Sequence, residues 1–392
     1  DLRIHADGAI GAANRHILTD VANVSARSVL GAVFLTEASG LEVTSVRVTI
    51  SEINSTGSTF SFFDAAQSDV VAGTSVVLNV TAGDLILEDG DATVDLTSGD
   101  GLSADGQSVQ AGADGGILLQ TLNGNLVANA SVLAGTGLIT VKASDSVTVN
   151  GTSSIETSGS GDISIEAVQG AITMAADTFA SGDAALRLAA NGNVTVGSLS
   201  GNDVSVLSTS GGILGAAGSG PQVDANNLRL SANLSIGTSA NFIRTDASVL
   251  SALSSTGSVY LTDSSATTVD SVRVETDEFT ATAGSVTIVD AAQSDIVTLD
   301  NGDIILVVTN GQLTLNDGSG LVDQNGGDGR SVDGVAVNAH GSGRILLSSA
   351  GAFNVNANVV STSGLVTLAA ASTLDIAAGV DIETAADVSL RT

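Results

Sequence analysis

From residue 163 onward the chain reads Ile163-Ser164-Ile165, Ile172-Thr173-Met174, Leu186-Arg187-Leu188, Val194-Thr195-Val196, Val204-Ser205-Val206 and Leu228-Arg229-Leu230. In each triplet two apolar residues flank one polar or charged residue, the period of two that a half-buried strand requires. Further along, Val259-Tyr260-Leu261, Val272-Arg273-Val274, Val286-Thr287-Ile288 and Leu313-Thr314-Leu315 repeat the pattern. Clusters of Gly, Asn, Asp and Ser separate the triplets, and these residues punctuate turns. No apolar stripe of period 3.6 is sustained, and helix start and stop signals are missing. The chain reads as all-β.

Spacing then selects the architecture. Ile163, Leu186 and Val204 begin one series of strands, and Ile172 and Val194 another. A turn of roughly 22 residues carrying two or three strands fits a parallel β-helix (a β-solenoid) better than a sandwich. Length agrees, because a compact core stops growing near about 250–300 residues, whereas this chain has 392. A solenoid escapes that limit, since each turn contacts only its neighbours. Aromatic residues make up 2% of the chain, so stacked columns of Ala, Val, Leu and Ile must form the interior.

A second, longer period lies above the first. Shifted by 226 positions, Asp1–Asp69 aligns with Asn227–Asp295 without a gap, and 29 of the 69 positions are identical. Ser45-Val46-Arg47-Val48 falls on Ser271-Val272-Arg273-Val274, and Asp64-Ala65-Ala66-Gln67-Ser68-Asp69 on Asp290-Ala291-Ala292-Gln293-Ser294-Asp295. After a two-residue insertion the match resumes at Glu88–Leu119 on Asn316–Leu347. Residues 1–226 are therefore expected to be one copy of a long unit. Residues 227–392 are a second, incomplete copy, continuous with the first in one rod. Such a chain reads as a stretch of a longer array, with any export signal outside it.

Net charge is −30, from 42 acidic and 12 basic residues. Nucleic acid and anionic membrane surfaces both demand basic patches, so neither is an expected partner. No run of about 18 apolar residues exists to insert in a membrane. With no cysteine, disulfides and thiolate metal sites are excluded.

Some of these residues form an ordered series. Leu228-Arg229-Leu230, Ile236-Gly237-Thr238, Arg244-Thr245-Asp246 and Val259-Tyr260-Leu261-Thr262-Asp263 follow one another. A weaker version runs through Leu2-Arg3-Ile4, Ile10-Gly11, Leu18-Thr19-Asp20 and Val33-Phe34-Leu35-Thr36-Glu37. Together with Gly192-Asn193-Val194-Thr195-Val196, the series resembles the long repetitive exoproteins of the filamentous-haemagglutinin type. That resemblance covers essentially the whole chain. It implies a right-handed parallel β-helix, exported to the bacterial cell surface and acting in adhesion, aggregation or matrix formation. The family's N-terminal secretion domain is not in this sequence.

The strongest candidate for a binding site is an acidic, Gly-rich segment present in both copies. Asp89, Asp95, Asp100 and Asp105 in the first are matched by Asp317, Asp323, Asp328 and Asp333 in the second. Calcium takes six to eight oxygen ligands, so crowded carboxylates suit it. Yet neither the EF-hand loop nor the Gly-Gly-x-Gly-x-Asp nonapeptide occurs, and Asp-Gly is also a good turn dipeptide. Calcium is the one cofactor this pattern suggests, and turn chemistry is its competitor.

No catalytic set emerges. Arg47, Arg187, Arg229 and Arg273 occupy the outward position of their strands and are expected to be solvated. His5, His16 and His340 have no ligand partners at metal spacing, and Gly215–Pro221 lacks the lysine and helix of a phosphate loop. Phe60 and Phe62 share one strand face and Phe63 the other; core packing is expected, with an exposed sticky patch as the alternative. Strand alternation places Ile165 inside and Ser164 outside, so Ile165→Asp should disrupt several turns and Ser164→Asp should be tolerated. The expected function is non-enzymatic, a stiff extracellular spacer or fibre whose first partner is itself. An adhesin wall that binds a glycan or host protein is the alternative, and a polysaccharide-active enzyme is a more distant one.

Overall fold

The computed structural model describes residues 1–64, 66–90, 105–112, 114–176, 178–218, 220–318 and 334–392. Among them there is no helix; short strands separated by turns and bends run from Leu2–Ala6 to Val388–Arg391. The chain forms two compact units. The first comprises Asp1–Val168, Asp177–Asp183 and Asp277–Val286; the second comprises Gln169–Ala176, Ala184–Thr276 and Thr287–Thr392.

In the first unit, strands that recur along the sequence pair in parallel and form three ladders. One runs Val33–Glu37, Val76–Val80, Ile117–Thr121, Ile139–Ala143 and Ile163–Ala167. Another contains Leu41–Val43, Leu85–Leu87, Leu126–Ala128 and Val147–Val149. The third contains Val70–Ala72, Gln107–Ala111, Ser131–Ala134, Ser154–Thr157 and Phe179–Ser181. The second unit repeats this arrangement; Val259–Asp263, Ile304–Val308, Ile345–Ser349, Val366–Ala370 and Val388–Arg391 form the ladder matching the first. Each unit is a parallel β-helix.

Register explains why the sequence repeats. Ile117 stacks on Ile139 and Ile139 on Ile163, steps of 22 and 24 residues, close to the spacing expected from the sequence. Leu119, Val141 and Ile165 form the adjoining inward column, and all six residues are fully buried. Each such side chain contributes about 1.5–3 kcal/mol by leaving water. Val33 to Val76 and Val76 to Ile117 are longer steps; in the first, a hairpin of Thr49–Ile53 and Thr59–Phe63 stands between the strands, which still meet in register.

Turns hold by their own chemistry. Thr121 donates its hydroxyl to the Gly124 carbonyl at 2.8 Å, Thr157 to that of Gly161 at 3.1 Å and Thr298 to that of Gly302 at 2.8 Å. Successive turns then approach closely: a Cβ on Gly137 would stand 2.0 Å from the Gly115 carbonyl oxygen, and one on Gly161 2.0 Å from that of Gly137. Only glycine fits there. Side-chain amides add ladders, with Asn150 donating to Asn129 at 3.0 Å and Asn356 to Asn316 at 3.0 Å.

Among the described residues two antiparallel hairpins interrupt the parallel pattern. The first pairs Thr49–Ile53 with Thr59–Phe63, and all ten of its strand residues are exposed. The second pairs Val272–Phe279 with Ser285–Gln293 and stands at the same place in the second copy. Its turn holds Ala283 at φ 58°, where the first hairpin has Gly57 at φ 80°. Both hairpins are anchored alike at the base. Gln67 donates its amide to the Ile4 carbonyl and the Ser25 hydroxyl at 2.9 and 3.2 Å, and Gln293 to Leu230 and Ser251 at 3.0 and 3.2 Å.

Replacing Ile165 by Asp places an unpaired charge between Val141 and the turn beyond it. We expect a loss of at least about 3 kcal/mol. Thr148→Lys, at the outward position of Val147–Val149, should change stability by no more than about 0.5 kcal/mol. Urea melts of the two variants check the assignment, and equal midpoints would contradict it.

Candidate functional site

Of the eight acidic candidates, Asp95, Asp100, Asp323, Asp328 and Asp333 lie outside the described residues. Asp89 and Asp105 come together at a cavity of about 490 Å³ that Asn129 and Glu156 also line. Asp89 accepts the Gly106 N–H at 3.1 Å, and Asp105 accepts the Gln107 N–H at 3.0 Å. Gly106 has φ 82°, so Asp105-Gly106 forms the left-handed turn its dipeptide favours. Asp317 is half-buried just after Leu313–Leu315. Among the described residues no three His, Asp or Glu side chains are grouped as a metal-holding set.

Buried polar chemistry gathers elsewhere, beneath the second hairpin. In the first unit, Glu278 accepts the Ser164 hydroxyl at 2.7 Å, the Phe279 N–H reaches the Thr140 hydroxyl at 2.8 Å and the Asp277 N–H reaches Asp162 at 2.7 Å. Phe279 packs with Phe34, Val77 and Leu118. His16 donates from Nε2 to the Ala281 carbonyl at 3.0 Å, while its Nδ1 lies 2.8 Å from the Thr36 hydroxyl. In the second unit, Arg187 Nε donates to Asp290 at 3.1 Å, and Arg229 Nε donates to the Ala291 carbonyl at 2.8 Å.

This overturns part of the outward assignment. Arg187 and Arg229 are 9% and 8% exposed, and Ser164 is fully buried. Alternation does aim them away from the coil interior, but the returning hairpin covers them. Ser164→Asp would set a second carboxylate against Glu278, so it is not a tolerated change. Arg47 and Arg273 are exposed as expected; Arg47 lies over the Phe63 ring at 4.2 Å and Arg273 pairs with Glu275. Phe60, Phe62 and Phe63 are not core residues; they are 36%, 51% and 61% exposed. His16 belongs to the closure beneath the hairpin rather than to a solvent loop, whereas His5 is exposed. Gly220 and Pro221 line a pocket of about 240 Å³ with Arg244, Thr245 and Asp263, and the Gly220 carbonyl accepts from Arg244 at 2.7 Å.

Two carboxylates are shifted in opposite directions. Burial raises the pKa of Asp263, against the lowering effect of the Thr245 hydroxyl and the Ser265 and Ala247 N–H groups. Asp263 replaces Glu37 of the first copy, whose carboxylate likewise gathers the N–H groups of Val21, Ala38 and Ser39. Asp303 is lowered chiefly by its hydrogen bond from the Arg344 guanidinium.

Comparison with protein-family models, with curated proteins and with solved structures finds no match. No helix of the chain is long and apolar enough to cross a membrane among the described residues.

Two outcomes follow from these contacts. Asp290→Ala removes the carboxylate that the buried Arg187 Nε bonds and should cost about 1.5–3 kcal/mol, while Arg187→Met combined with Asp290→Leu should recover most of that loss. Chemical denaturation measures both. Because the folded pKa of Asp303 is depressed, its pairing stabilises the fold above the unfolded value near 3.8 and is lost as pH falls through the folded one. The pair is largely solvent-exposed on the Arg344 side, so Arg344→Ala should lower stability at pH 7 by at most about 1 kcal/mol. That deficit should vanish in acid; a deficit that persists at pH 2 would contradict it.

Proposed function

We propose that this chain is a non-enzymatic structural segment, a spacer or fibre-forming stretch of a large repeat protein secreted to a bacterial cell surface. It is of the kind the filamentous-haemagglutinin-like series in its sequence resembles. The observation that carries the reading is the use to which buried polar groups are put. Ser164, Thr140 and Glu278 in the first unit, and Arg187, Arg229 and Asp290 in the second, hold hairpin residues in place, and Asp263 and Glu37 gather backbone N–H groups at turns. Aliphatic columns fill the coils, and the excess of 30 negative charges keeps such surfaces soluble and mutually repelling.

Parallel turns transmit load along backbone hydrogen bonds, and display of further segments at a distance from the cell is the mechanical use of that stiffness. Gold-labelled antibody against this chain, applied to intact producing cells, tests the reading. Label along surface filaments, a sheath or matrix is expected. Label only inside permeabilised cells would overturn it, and an antibody that blocks attachment from isolated projections would favour the adhesin instead.

A further inference from the structure

The two copies of the long repeat carry the same two parts of one interface, and each copy leaves a different part uncovered. In the first unit the receiving part is the column Phe34, Val77, Leu118, Thr140 and Ser164, whose members are direct register partners. The second hairpin covers it, so these five residues are 0–5% exposed. Register in the second unit builds the same column from Tyr260, Ile305, Leu346, Thr367 and Ser389. All five are half-buried there.

Chemistry at the matching positions is kept. Thr140 and Ser164, which bond the hairpin, are again Thr and Ser. Phe34, Val77 and Leu118, which pack against Phe279, become Tyr, Ile and Leu. Phe242 takes the place of His16 and keeps its ring contact, 5.4 Å from Tyr260 where His16 is 5.5 Å from Phe34. Leu138 packs against the covered cluster, while its counterpart Leu365 is 49% exposed.

The donating part is uncovered in the first copy. Glu278 and Phe279, 7% and 8% exposed, correspond to Glu52 and Ile53, and Ile53 is 73% exposed. Ile50 pairs across the hairpin with Phe62, and Glu52 with Phe60, so these four share one face. Sizes also compensate. The Phe279 ring lies over Gly116, where a Cβ would come within 2.4 Å of it; the second column has Arg344 at that place, and the first hairpin offers the smaller Ile53.

We infer that the first hairpin of one copy of this chain docks on the Tyr260–Ile305–Leu346–Thr367–Ser389 column of a second copy. Glu52 accepts the Ser389 hydroxyl and Ile53 packs on Leu346, as Glu278 and Phe279 do on Ser164 and Leu118. Hairpin and column are different surfaces, so the contact is heterologous, and a copy that donates its hairpin still has a column to offer. The inference deepens the reading of the chain as a building block by naming the surfaces through which it meets itself.

The chain has no cysteine, so introduced thiols report on proximity alone. Glu52→Cys chains mixed with Ser389→Cys chains under mild oxidation should give a disulfide-linked dimer. The yield should be at least about tenfold above Glu52→Cys mixed with Thr148→Cys, whose thiol stands on another ladder. Adding Ile53→Asp to the donor should return the yield to that of the control. Ile53 is exposed, and unchanged circular dichroism verifies the fold. Equal yields from the two mixtures, or wild-type chain that stays at 38.4 kDa in light scattering up to millimolar concentration, would overturn the docking. Such a failure removes this interface only, because the surface reading is decided separately by where the gold label lies.

Discussion

Everything in this chain depends on one constraint: the backbone groups of each turn find their partners on the turns before and after it. A strand such as Ile139–Ala143 pairs with Ile117–Thr121 on one side and Ile163–Ala167 on the other, and none of its ladder bonds is made within its own turn. The side chain at a given position therefore lies directly above its counterpart some 22 residues away. A polar residue aimed inward at mid-strand would stand between two apolar neighbours with nothing to bond. The interior columns are therefore built almost wholly from Val, Ile, Leu and Ala, with Phe353 between Leu313 and Leu374. Inward polar residues such as Thr121 stand at strand ends, where a turn carbonyl accepts from them. Close stacking at the corners imposes glycine for the same reason, as at Gly115, Gly137 and Gly161. Insertions are accepted only where the chain can leave and re-enter in register.

Given that constraint, the polar residues do a second job. Ser164, Thr140 and the buried arginines are outward with respect to the coil, yet they are dry because the second hairpin folds back over them. Burying charge is costly unless it is paired, which is why Arg187 meets Asp290 and Arg229 meets a carbonyl. The hairpin thus substitutes an ordered partner for water along one wall. The same anchoring glutamine at the base of both hairpins, Gln67 and Gln293, shows that the device is a property of the repeat rather than of one place in it. What differs is whether a wall lies beneath the hairpin. Where one does, Thr276 and Glu278 are buried; where none is seen, the matching Ile50 and Glu52 face solvent.

The shifted carboxylates belong to the same logic of limited water. Asp263 is fully enclosed and yet gathers three donors, so its ionised form is opposed by burial and supported by hydrogen bonds at once. Asp303 is less enclosed and has a guanidinium beside it, so the charged form wins. By the pH linkage, Asp263 adds less to stability as pH rises above its unfolded value, and Asp303 adds more.

Sequence alone determined the all-β class, the parallel coil of about 22 residues, the aliphatic interior and the long repeat, because each is a periodicity and periodicity is visible in one dimension. It also located the acidic Asp-Gly segments, and at Asp105-Gly106 the turn it allowed is the one formed. Tertiary structure alone decided which outward residues are truly outside. A period of two separates the faces of a strand, but it carries no information about a hairpin arriving from more than 100 residues away, as Glu278 does at Ser164. The same limit hid the fate of the phenylalanines. Nothing in Phe60-Ser61-Phe62-Phe63 tells a core strand from the second strand of a projecting hairpin, where the matching Val286 and Val289 are exposed as well, since that depends on where the turn before it carries the chain.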